Sequence, residues 1–255
     1  MKTKHIEERR EQIVNIIKQK GTLDTEEASR IFGVSSETIR QDFVFLEKKG
    51  ILEKVYGGAK LSSADEIGPL ITRQKENFLA KDHIVRKALE FLPDSDSIIG
   101  MDTGSTVALL ASYLSRREHL LLVTNSHPVM HNMINSNNRL YALGGEYNKS
   151  EMSYCGEQAV HALEKLSLDI CFLGTSGVLN RNGICSKDFE EIRIKQTYLK
   201  RSHRKIVLAD SSKFTKASLV EVAPWGDVDI LITDSGIPAN AKKMLESVLT
   251  LVIAE

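Results

Sequence analysis

Apolar residues recur with two different spacings along the 255-residue chain. Near the N-terminus they lie three or four positions apart, as in Ile13 and Ile17, which is the spacing of one helix face. From Ser97 onward, short apolar runs alternate with stretches of helical spacing, which is typical of buried strands joined by helices. The pattern therefore predicts a small helical domain followed by an α/β domain.

Three helices are predicted in the N-terminal part. The first ends near Gly21, and the second begins after Asp24, which serves as its N-cap with Glu27 completing a capping box. The third begins at Ser35 and buries a stripe of residues spaced i, i+4, i+7. That stripe consists of Ile39, Phe43 and Leu46. A short turn containing Gly33 joins the second and third helices, which is the arrangement of a helix-turn-helix.

Residues 51–61 are predicted to form two short strands joined at Tyr56-Gly57-Gly58, which together make a hairpin, the wing. The exposed face of the third helix carries side chains suited to base edges and phosphates. The candidate DNA-binding residues are Ser35, Ser36, Glu37, Thr38, Arg40, Gln41, Lys48, Lys54 and Tyr56. Periodicity alone leaves a three-helix packing domain with a solvated charged face equally open.

Segment 62–70 is small and polar and is interrupted by Gly68-Pro69, so the domain boundary is placed there. The predicted division is a DNA-binding domain of residues 1–61, a linker of residues 62–72 and an effector-binding and oligomerisation domain of residues 73–255. Ile71–Phe91, which begins at the end of this linker, is predicted to form a helix that packs on the sheet of the last domain.

Seven apolar runs predict strands of a largely parallel sheet. They are Ser97–Met101, Leu120–Thr124, Arg139–Leu143, Asp169–Leu173, Lys205–Ala209, Ile230–Thr233 and Thr250–Ile253. Small polar residues follow the first five of these runs, for example at Asp102–Thr106 and Gly174–Gly177. Because the carboxyl ends of parallel strands meet at one edge, where open α/β sheets bind ligands, these turns predict a ligand site.

The turn Asp102–Thr106 leads directly into a helix, whose free N–H groups and positive dipole end favour an anion. Lys213 supplies a positive charge, and Asp102, Asn125 and Asp188 are suited to pair with sugar hydroxyls. The candidate ligand-binding residues are Asp102, Thr103, Gly104, Ser105, Thr106, Asn125, Gly145, Thr175, Gly177, Asp188 and Lys213. The edge therefore predicts a site for a phosphorylated sugar.

Several charged residues have two interpretations. Glu191, Arg193 and Lys195 lie on a charged helix, for which a solvated face is at least as good an interpretation as a site. Asp210 is an equal candidate for capping its turn and for positioning Lys213.

Composition narrows the class of protein. Lys and Arg together number 34, as do Asp and Glu, so DNA binding requires a local patch rather than an overall basic chain. Three cysteines without C-x-x-C spacing predict reduced thiols in the cytoplasm, and no apolar run is long enough to span a membrane. The seven histidines form no metal-like cluster, so neither a metal nor a cofactor is expected.

The segment TIRQDFVFLEKKGILEKVYGGAK resembles the start of the deoxyribose-operon repressor (DeoR) family, whose pattern there is roughly VS-x-x-TIRRDL-x-x-LE-x-x-G-x-L-x-R-x-x-GGA. Gln41 replaces the second arginine, Phe43 the leucine and Lys54 the wing arginine. The resemblance continues through MDTGSTV, VTNS, LGGEY, CGEQAV, FLGTSGV, LADSSKF and LITD, although Asn148 stands where many members carry a basic residue.

The resemblance implies an N-terminal winged helix-turn-helix that binds operator DNA. It also implies a C-terminal, largely parallel α/β domain similar in fold to ribose-phosphate isomerases and coenzyme A transferases. Such a protein is expected to repress a sugar operon until a phosphorylated sugar releases it, although activation and co-repression stay open. Reading a palindromic site predicts a homo-oligomer, a dimer or tetramer, assembled through the C-terminal domain.

The alternative is a sugar-phosphate isomerase-like enzyme with an N-terminal accessory domain. Catalysis would need a base beside the substrate carbon. Gly174–Gly177 contains no carboxylate, which disfavours this alternative, and Asp102 and Asp188 are then the possible bases. We therefore expect no catalytic residues.

Overall fold

Residues 2–48, 52–61, 69–93 and 96–255 are described by the computed structural model, and the chain divides into two units, Met1–Gly68 and Pro69–Glu255. The predicted linker lies outside the described residues up to residue 68, and from Pro69 the chain belongs to the second unit. In the described ranges, no helix combines the length and the apolar character needed to cross a membrane.

The first unit consists of three helices and a small antiparallel sheet. Its helices are α1 (Lys2–Lys20), α2 (Thr25–Phe32) and α3 (Ser36–Lys48), and its strands are β1 (Thr22–Asp24), β2 (Leu52–Val55) and β3 (Gly58–Leu61). The strand order is β1-β3-β2. The winged helix-turn-helix prediction is confirmed, but β1 was not predicted, because three residues are too few to show a period.

Local hydrogen bonds fix where α2 begins and ends. The Asp24 carboxylate accepts from the Glu26 and Glu27 N–H groups at 2.8 and 3.2 Å. The Glu27 carboxylate contacts the Lys20 ammonium at 2.5 Å, so the N-cap is present although Glu27 turns to the preceding helix. Gly33 ends α2 with a φ of 63°, a left-handed conformation that glycine adopts without strain.

A buried carboxylate joins α1 to α3. Asp42 accepts hydrogen bonds from Arg9 Nε and Arg10 Nε, each at 2.7 Å. This pairing explains why a charged residue, Arg10, stands on the apolar face of α1, since a buried charge requires a partner. The apolar core of this unit lies beside it and comprises Ile13, Ile17, Leu23, Ala28, Ile39, Phe43, Leu46, Leu52 and Ala59.

The second unit alternates strands with helices. Its helices are α4 (Leu70–Arg73), α5 (Phe78–Ala88), α6 (Ser105–Leu114), α7 (His127–Met133), α8 (Glu157–Glu164), α9 (Glu190–Arg201) and α10 (Ala239–Glu246). Its strands are β4 (Ile98–Met101), β5 (Leu121–Thr124), β6 (Arg139–Ala142), β7 (Glu146–Asn148), β8 (Ser153–Cys155), β9 (Leu168–Gly174), β10 (Gly183–Ser186), β11 (Ser202–Leu208), β12 (Val220–Pro224), β13 (Ile230–Asp234) and β14 (Thr250–Ala254). Short 3₁₀ turns occur at Leu89–Phe91, Ser211–Thr215 and Trp225–Asp227.

Seven strands form one parallel sheet in the order β14-β13-β11-β9-β4-β5-β6. All seven predicted strands are present, and the predicted α/β class is confirmed. The sheet is doubly wound: from β4 the chain adds β5 and β6 on one side, then crosses to β9 and continues outward on the other side.

Alternate residues of the central strands enter two separate cores. On β9, Phe172 packs in the core that includes α5, α6 and α7, whereas its neighbours Cys171 and Leu173 pack in the core that includes α8, α9 and α10. Because side chains alternate across a strand, a sheet covered on both faces requires continuous apolar runs. The unit is therefore a three-layer α/β/α sandwich.

The predicted helix over Ile71–Phe91 is wrong in one respect, because it is interrupted between α4 and α5. Asn77 takes a left-handed φ of 51° immediately before α5. The buried ammonium of Lys81 donates to the carbonyls of Arg73 and Glu76, the latter at 2.7 Å, and so satisfies groups that the interruption leaves open. Two antiparallel pairings outside the main sheet, the β7–β8 hairpin and the β10–β12 pair, were also not predicted.

Candidate functional site

The sheet reverses its direction of growth between β4 and β9, which are neighbours in the sheet. The segment after β4 continues into α6 on one face, and the segment after β9 leads through β10 to α9 on the other face. A crevice opens where two such segments diverge, and this is the usual ligand position in open α/β sheets.

Gly104 shapes the turn between β4 and α6. Its φ of 144° is a conformation that other residues rarely adopt, and it stands as the N-cap of α6. A Cβ at this position would lie 3.5 Å from the Gly174 Cα, so the two turns approach each other closely here. The first N–H groups of a helix lack intrahelical partners, and at this position they border the crevice.

The crevice holds a cavity with an empty volume of about 370 Å³, which includes open solvent at its mouth. It is lined by Arg73, Thr103, Gly104, Ser105, Thr106, Glu151, Gly174, Thr175, Ser176, Glu191, Lys195, Leu208 and Lys213. We call this cavity the switch-point pocket. Six of the predicted ligand residues are brought together in it, namely Thr103, Gly104, Ser105, Thr106, Thr175 and Lys213.

Lys213 contributes a buried positive charge to the switch-point pocket. Only 7% of the residue is exposed, and burial lowers the pKa of its ammonium. Within the described ranges, no carboxylate lies within ion-pair distance of that ammonium. The 3₁₀ turn that carries Lys213 is capped by Asp210, whose Oδ1 accepts from the Ser212 N–H at 3.2 Å and from Asn77 Nδ2 at 2.9 Å. Asp210 therefore caps the turn and also places Lys213.

Arg73 and Glu151 form an ion pair in the pocket lining. Glu151 is also 3.0 Å from the Lys187 ammonium. Neither pocket residue was predicted, because Arg73 belongs to the interrupted helix and Glu151 lies in a loop between β7 and β8. Their charges are balanced by direct ion pairs, whereas the Lys213 ammonium is stabilised by the Asp210 charge only from beyond ion-pair distance.

Asp102 was predicted to pair with a sugar hydroxyl, and the structure places it elsewhere. The residue is completely buried and forms an ion pair with Lys195 of α9, while the Gly174 N–H donates to it at 3.4 Å. Burial lowers the pKa of Lys195, but the nearby carboxylates of Asp102 and Glu191 outweigh burial and raise it overall. Lys195, rather than Asp102, lines the pocket.

The interpretation of α9 as a solvated face holds for Arg193 but not for its neighbours. Arg193 is exposed, whereas Glu191 and Lys195 are buried and line the switch-point pocket. Burial raises the pKa of Glu191 to about 7. The four-residue spacing of Glu191 and Lys195 places both on one helix face and was the signal available in the sequence.

Asn125 and Asp188 also lie outside the pocket lining. Asn125 donates to the Tyr154 carbonyl at 3.0 Å and accepts from the Tyr198 hydroxyl at 3.3 Å. Asp188 accepts from Asn148 Nδ2 at 2.5 Å. Both polar side chains are thus engaged by the protein itself, and the departure at Asn148 serves this contact.

Gly145 and Gly177 have packing roles instead of ligand contacts. A Cβ at Gly145 would lie 2.3 Å from the Cys155 carbonyl oxygen, and one at Gly177 would lie 2.3 Å from the Lys216 carbonyl oxygen. Close backbone approach accounts for both glycines, and neither lines the pocket.

The predicted recognition surface lies on α3. Glu37, Arg40 and Gln41 are exposed, and the Arg40 guanidinium is 3.6 Å from the Glu37 carboxylate. The Ser35 hydroxyl accepts from the Thr38 N–H at 3.2 Å, so these two residues form the start of the helix. Ser36 is half-buried, and the side chain of Lys48 lies outside the described part.

The wing completes a groove in the first unit. Tyr56 is fully exposed at the tip of the β2–β3 hairpin, and the Lys54 ammonium is 3.1 Å from the Glu47 carboxylate. Arg40, Val44, Lys54 and Gly57 line a common groove with an empty volume of about 970 Å³, open to solvent. The predicted helix and wing residues thus flank one surface.

Comparison with known proteins covers both units. The model of the DeoR C terminal sensor domain matches residues 76–235, and that of the DeoR-like helix-turn-helix domain matches residues 9–65. The chain is 30% identical over 238 residues to a putative aga operon transcriptional repressor of Escherichia coli O157:H7, covering 92% of this chain and 88% of that protein.

Two further relatives have regulatory names. The glycerol-3-phosphate regulon repressor of Escherichia coli K12 is 29% identical over 234 residues, covering 91% of this chain and 92% of that protein. The L-fucose operon activator of Haemophilus influenzae is 30% identical over 240 residues, covering 93% and 96%. A ribose 5-phosphate isomerase A structure from Methanocaldococcus jannaschii aligns at 19% identity and a TM-score of 0.40 over 54% of this chain and 55% of that chain.

The sensor-domain match alone spans more than half of the chain, and it contains most of the switch-point pocket. The helix-turn-helix match spans the groove between α3 and the wing. With a DNA-binding head and a sensor domain in this order, the chain belongs to the DeoR family of transcriptional regulators.

Proposed function

We propose that this protein represses an operon for sugar uptake or breakdown and that a phosphorylated sugar, bound in the switch-point pocket, releases it from operator DNA. The relatives named for the aga operon and the glycerol-3-phosphate regulon support the sugar or polyol class. A protein that reads operator DNA acts in the cytoplasm. We assign DNA binding to residues 1–61, and effector binding and oligomerisation to residues 73–255.

The observation that carries this proposal is the buried ammonium of Lys213. Among the described residues it has no carboxylate partner, although a buried charge is costly unless it is paired. Thr103, Ser105 and Thr106 line the same pocket at the N-terminus of α6. The Thr103 hydroxyl donates to the Glu151 carbonyl at 3.1 Å, so a phosphate dianion would pair with the ammonium and accept from the Ser105 and Thr106 hydroxyls and from helix N–H groups.

Effector binding releases DNA only if the pocket has a higher affinity for the effector in the state that binds DNA weakly. One relative is named as an operon activator. Whether the effector weakens or strengthens DNA binding by this protein must therefore be measured. A palindromic operator is bound by two DNA-binding domains, so we propose that the protein is a dimer or tetramer. Sedimentation equilibrium would determine its oligomeric state.

The direct test is fluorescence anisotropy on DNA taken from upstream of the protein's own operon. The measurement is made at constant salt, because salt alone changes DNA affinity by orders of magnitude. Phosphorylated sugars are then titrated in one by one. Release by one of them and by none of the unphosphorylated sugars supports the proposal. Tighter DNA binding on titration would instead indicate co-repression.

The Arg40→Ala variant is expected to weaken operator binding by about 1–3 kcal/mol, because an exposed arginine on a recognition helix contacts bases or phosphates. Anisotropy titrations at equal salt would measure this loss. The matched control is Arg116→Ala, which removes an exposed arginine of the sensor unit and should leave DNA affinity unchanged. Unaltered operator affinity in Arg40→Ala would remove α3 from its assigned role.

One observation supports a second candidate function, a sugar-phosphate isomerase. Glu191 is a carboxylate in the pocket lining with a pKa of about 7, which suits a general base. Asp102 and Asp188, the bases considered first, are engaged by Lys195 and Asn148. We expect no turnover of ribose 5-phosphate in a mass-balance assay. Isomerisation that is lost in Glu191→Gln would replace the regulatory proposal with the enzymatic one.

A further inference from the structure

Glu191 is a buried pocket residue that the phosphate seat at Lys213 and α6 does not account for. Its Oε2 accepts a hydrogen bond from the Ser186 hydroxyl. Its Oε1 is buried, and among the described residues it has no hydrogen-bond partner. An unsatisfied buried polar atom is costly, and one that lines a cavity is available to a ligand.

Burial favours the neutral form of Glu191, and the largest effect against it is the charge of Lys195. Burial is the largest cause that raises its pKa to about 7, and the carboxylates of Glu151 and Asp102 add to it. Lys195, on the next turn of the same helix, and the Ser186 hydroxyl act in the opposite direction. Lys195 is already paired with Asp102, so it stabilises a Glu191 anion only in part.

We propose that Glu191 selects the part of the effector beyond its phosphate, by binding as a neutral acid and donating a hydrogen bond from its buried carboxyl group to a sugar or polyol oxygen. This inference deepens the proposed function and rests on it. A phosphate dianion seated at Lys213 brings further negative charge to the same pocket and so strengthens the neutral form.

The proposal defines a class of effector. Glu151 and Glu191 both line the pocket, and the carboxylates of Glu151 and Asp102 act on Glu191 to raise its pKa. If the part of the ligand beside Glu191 carried a second anionic group, such as a carboxylate, that group would be desolvated and repelled by these carboxyl groups. The matching ligand carries one phosphate and an uncharged polyhydroxy part, which describes a sugar or polyol monophosphate. Bisphosphates and phosphorylated acids are expected to bind more weakly.

The test uses isothermal titration calorimetry of the full chain with glycerol 3-phosphate, ribose 5-phosphate and glucose 6-phosphate. Titrations at pH 7 and 8.5 avoid the second ionisation of the phosphate, which lies near pH 6. Because free Glu191 loses its proton over this interval, wild-type affinity should fall about tenfold more than that of Glu191→Gln. The glutamine keeps a donor and cannot ionise, so the difference isolates Glu191 from the titration of Lys213.

A second variant moves the same pH profile without altering Glu191. Ser186→Ala removes the hydroxyl that stabilises the Glu191 anion, so the fall in affinity should shift to higher pH. The fluorescence of Trp225, the single tryptophan, reports that each variant is folded. Equal pH profiles in wild type and Glu191→Gln would overturn the proposal.

Selectivity provides an independent readout. Wild-type protein should bind glycerol 3-phosphate at least tenfold more tightly than 3-phosphoglycerate, whose carboxylate occupies the position of a hydroxymethyl group, and Glu191→Gln should narrow that ratio. If no organic probe binds more tightly than inorganic phosphate, Glu191 contributes no selectivity and the inference is wrong. Inorganic phosphate tests only the proposed phosphate-binding site at Lys213 and the N-terminus of α6. If inorganic phosphate does not bind, or if Lys213→Gln does not change its binding, the proposed function is contradicted.

Discussion

Lys213→Gln is expected to leave operator binding intact and to raise the concentration of phosphorylated sugar that is needed to release DNA. The ammonium lines the switch-point pocket and, in the described structure, lacks a carboxylate partner. A charged hydrogen bond contributes about 1.5–3 kcal/mol, so effector affinity should fall roughly 10- to 100-fold. Anisotropy with preformed protein–DNA complex measures both properties in one titration.

The same variant should fold more stably than wild type in the absence of effector. Burial lowers the pKa of Lys213, so the folded state binds its proton less tightly than the unfolded state does. Wild-type stability should therefore rise as the pH increases toward the ordinary lysine range, and this contribution disappears in Lys213→Gln. Urea unfolding monitored by Trp225 fluorescence at two pH values measures the difference.

Lys200→Gln is the matched control, since Lys200 is an exposed lysine of α9 in the same unit. It should respond to effector as the wild type does and show no change in stability. Normal release of DNA by Lys213→Gln would remove Lys213 from the effector site, whatever its effect on stability.

Lys195→Met is expected to destabilise the sensor unit by about 3–5 kcal/mol, because it leaves the completely buried Asp102 without its ion-pair partner. Burial raises the pKa of Asp102, so in the variant the folded state holds the proton more tightly than the unfolded state does. The deficit should therefore shrink as the pH falls toward the range of an ordinary aspartate. Denaturant unfolding at neutral and acidic pH measures it.

Two variants identify the cause of that loss. Arg193→Met removes an exposed charge from the same helix, and its effect on unfolding should stay within about 0.5 kcal/mol. Asp102→Asn combined with Lys195→Met removes both charges and should recover most of the stability. A double variant as unstable as Lys195→Met would show that lost packing, rather than an unpaired carboxylate, is responsible.

The sheet could be predicted because its information is local. Every strand of the parallel sheet was recognised as a short apolar run, and helical patterns lie between most of these runs. The turns after β4 and β9 have the small polar residues that such turns require. The same reasoning led to six residues of the switch-point pocket. It also predicted the N-cap at Asp24, which depends on residues no more than three positions away.

What could not be predicted depends on contacts between distant segments. The interruption at Asn77 is stabilised by Lys81, whose ammonium binds carbonyls that a continuous helix would have used itself. Charged residues of α9 are exposed or buried according to what faces them, and the partner of Lys195 is Asp102, which lies 93 positions away in the sequence. Asp102 itself was assigned to the ligand because nothing local revealed that pairing.

The neighbouring positions of β4 and β9 have a consequence for how long each copy of the protein survives. Thr103–Thr106 and Gly174–Ser176 come from the two halves of the doubly wound sheet, and the pocket exists only while those halves are joined. An effector bound there stabilises the joined form and reduces the fraction of time during which the halves separate and proteases gain access. The concentration of the effector would then affect the rate of proteolysis of the regulator as well as its affinity for DNA. Cells growing on the sugar would keep folded protein that can repress again once the sugar is consumed.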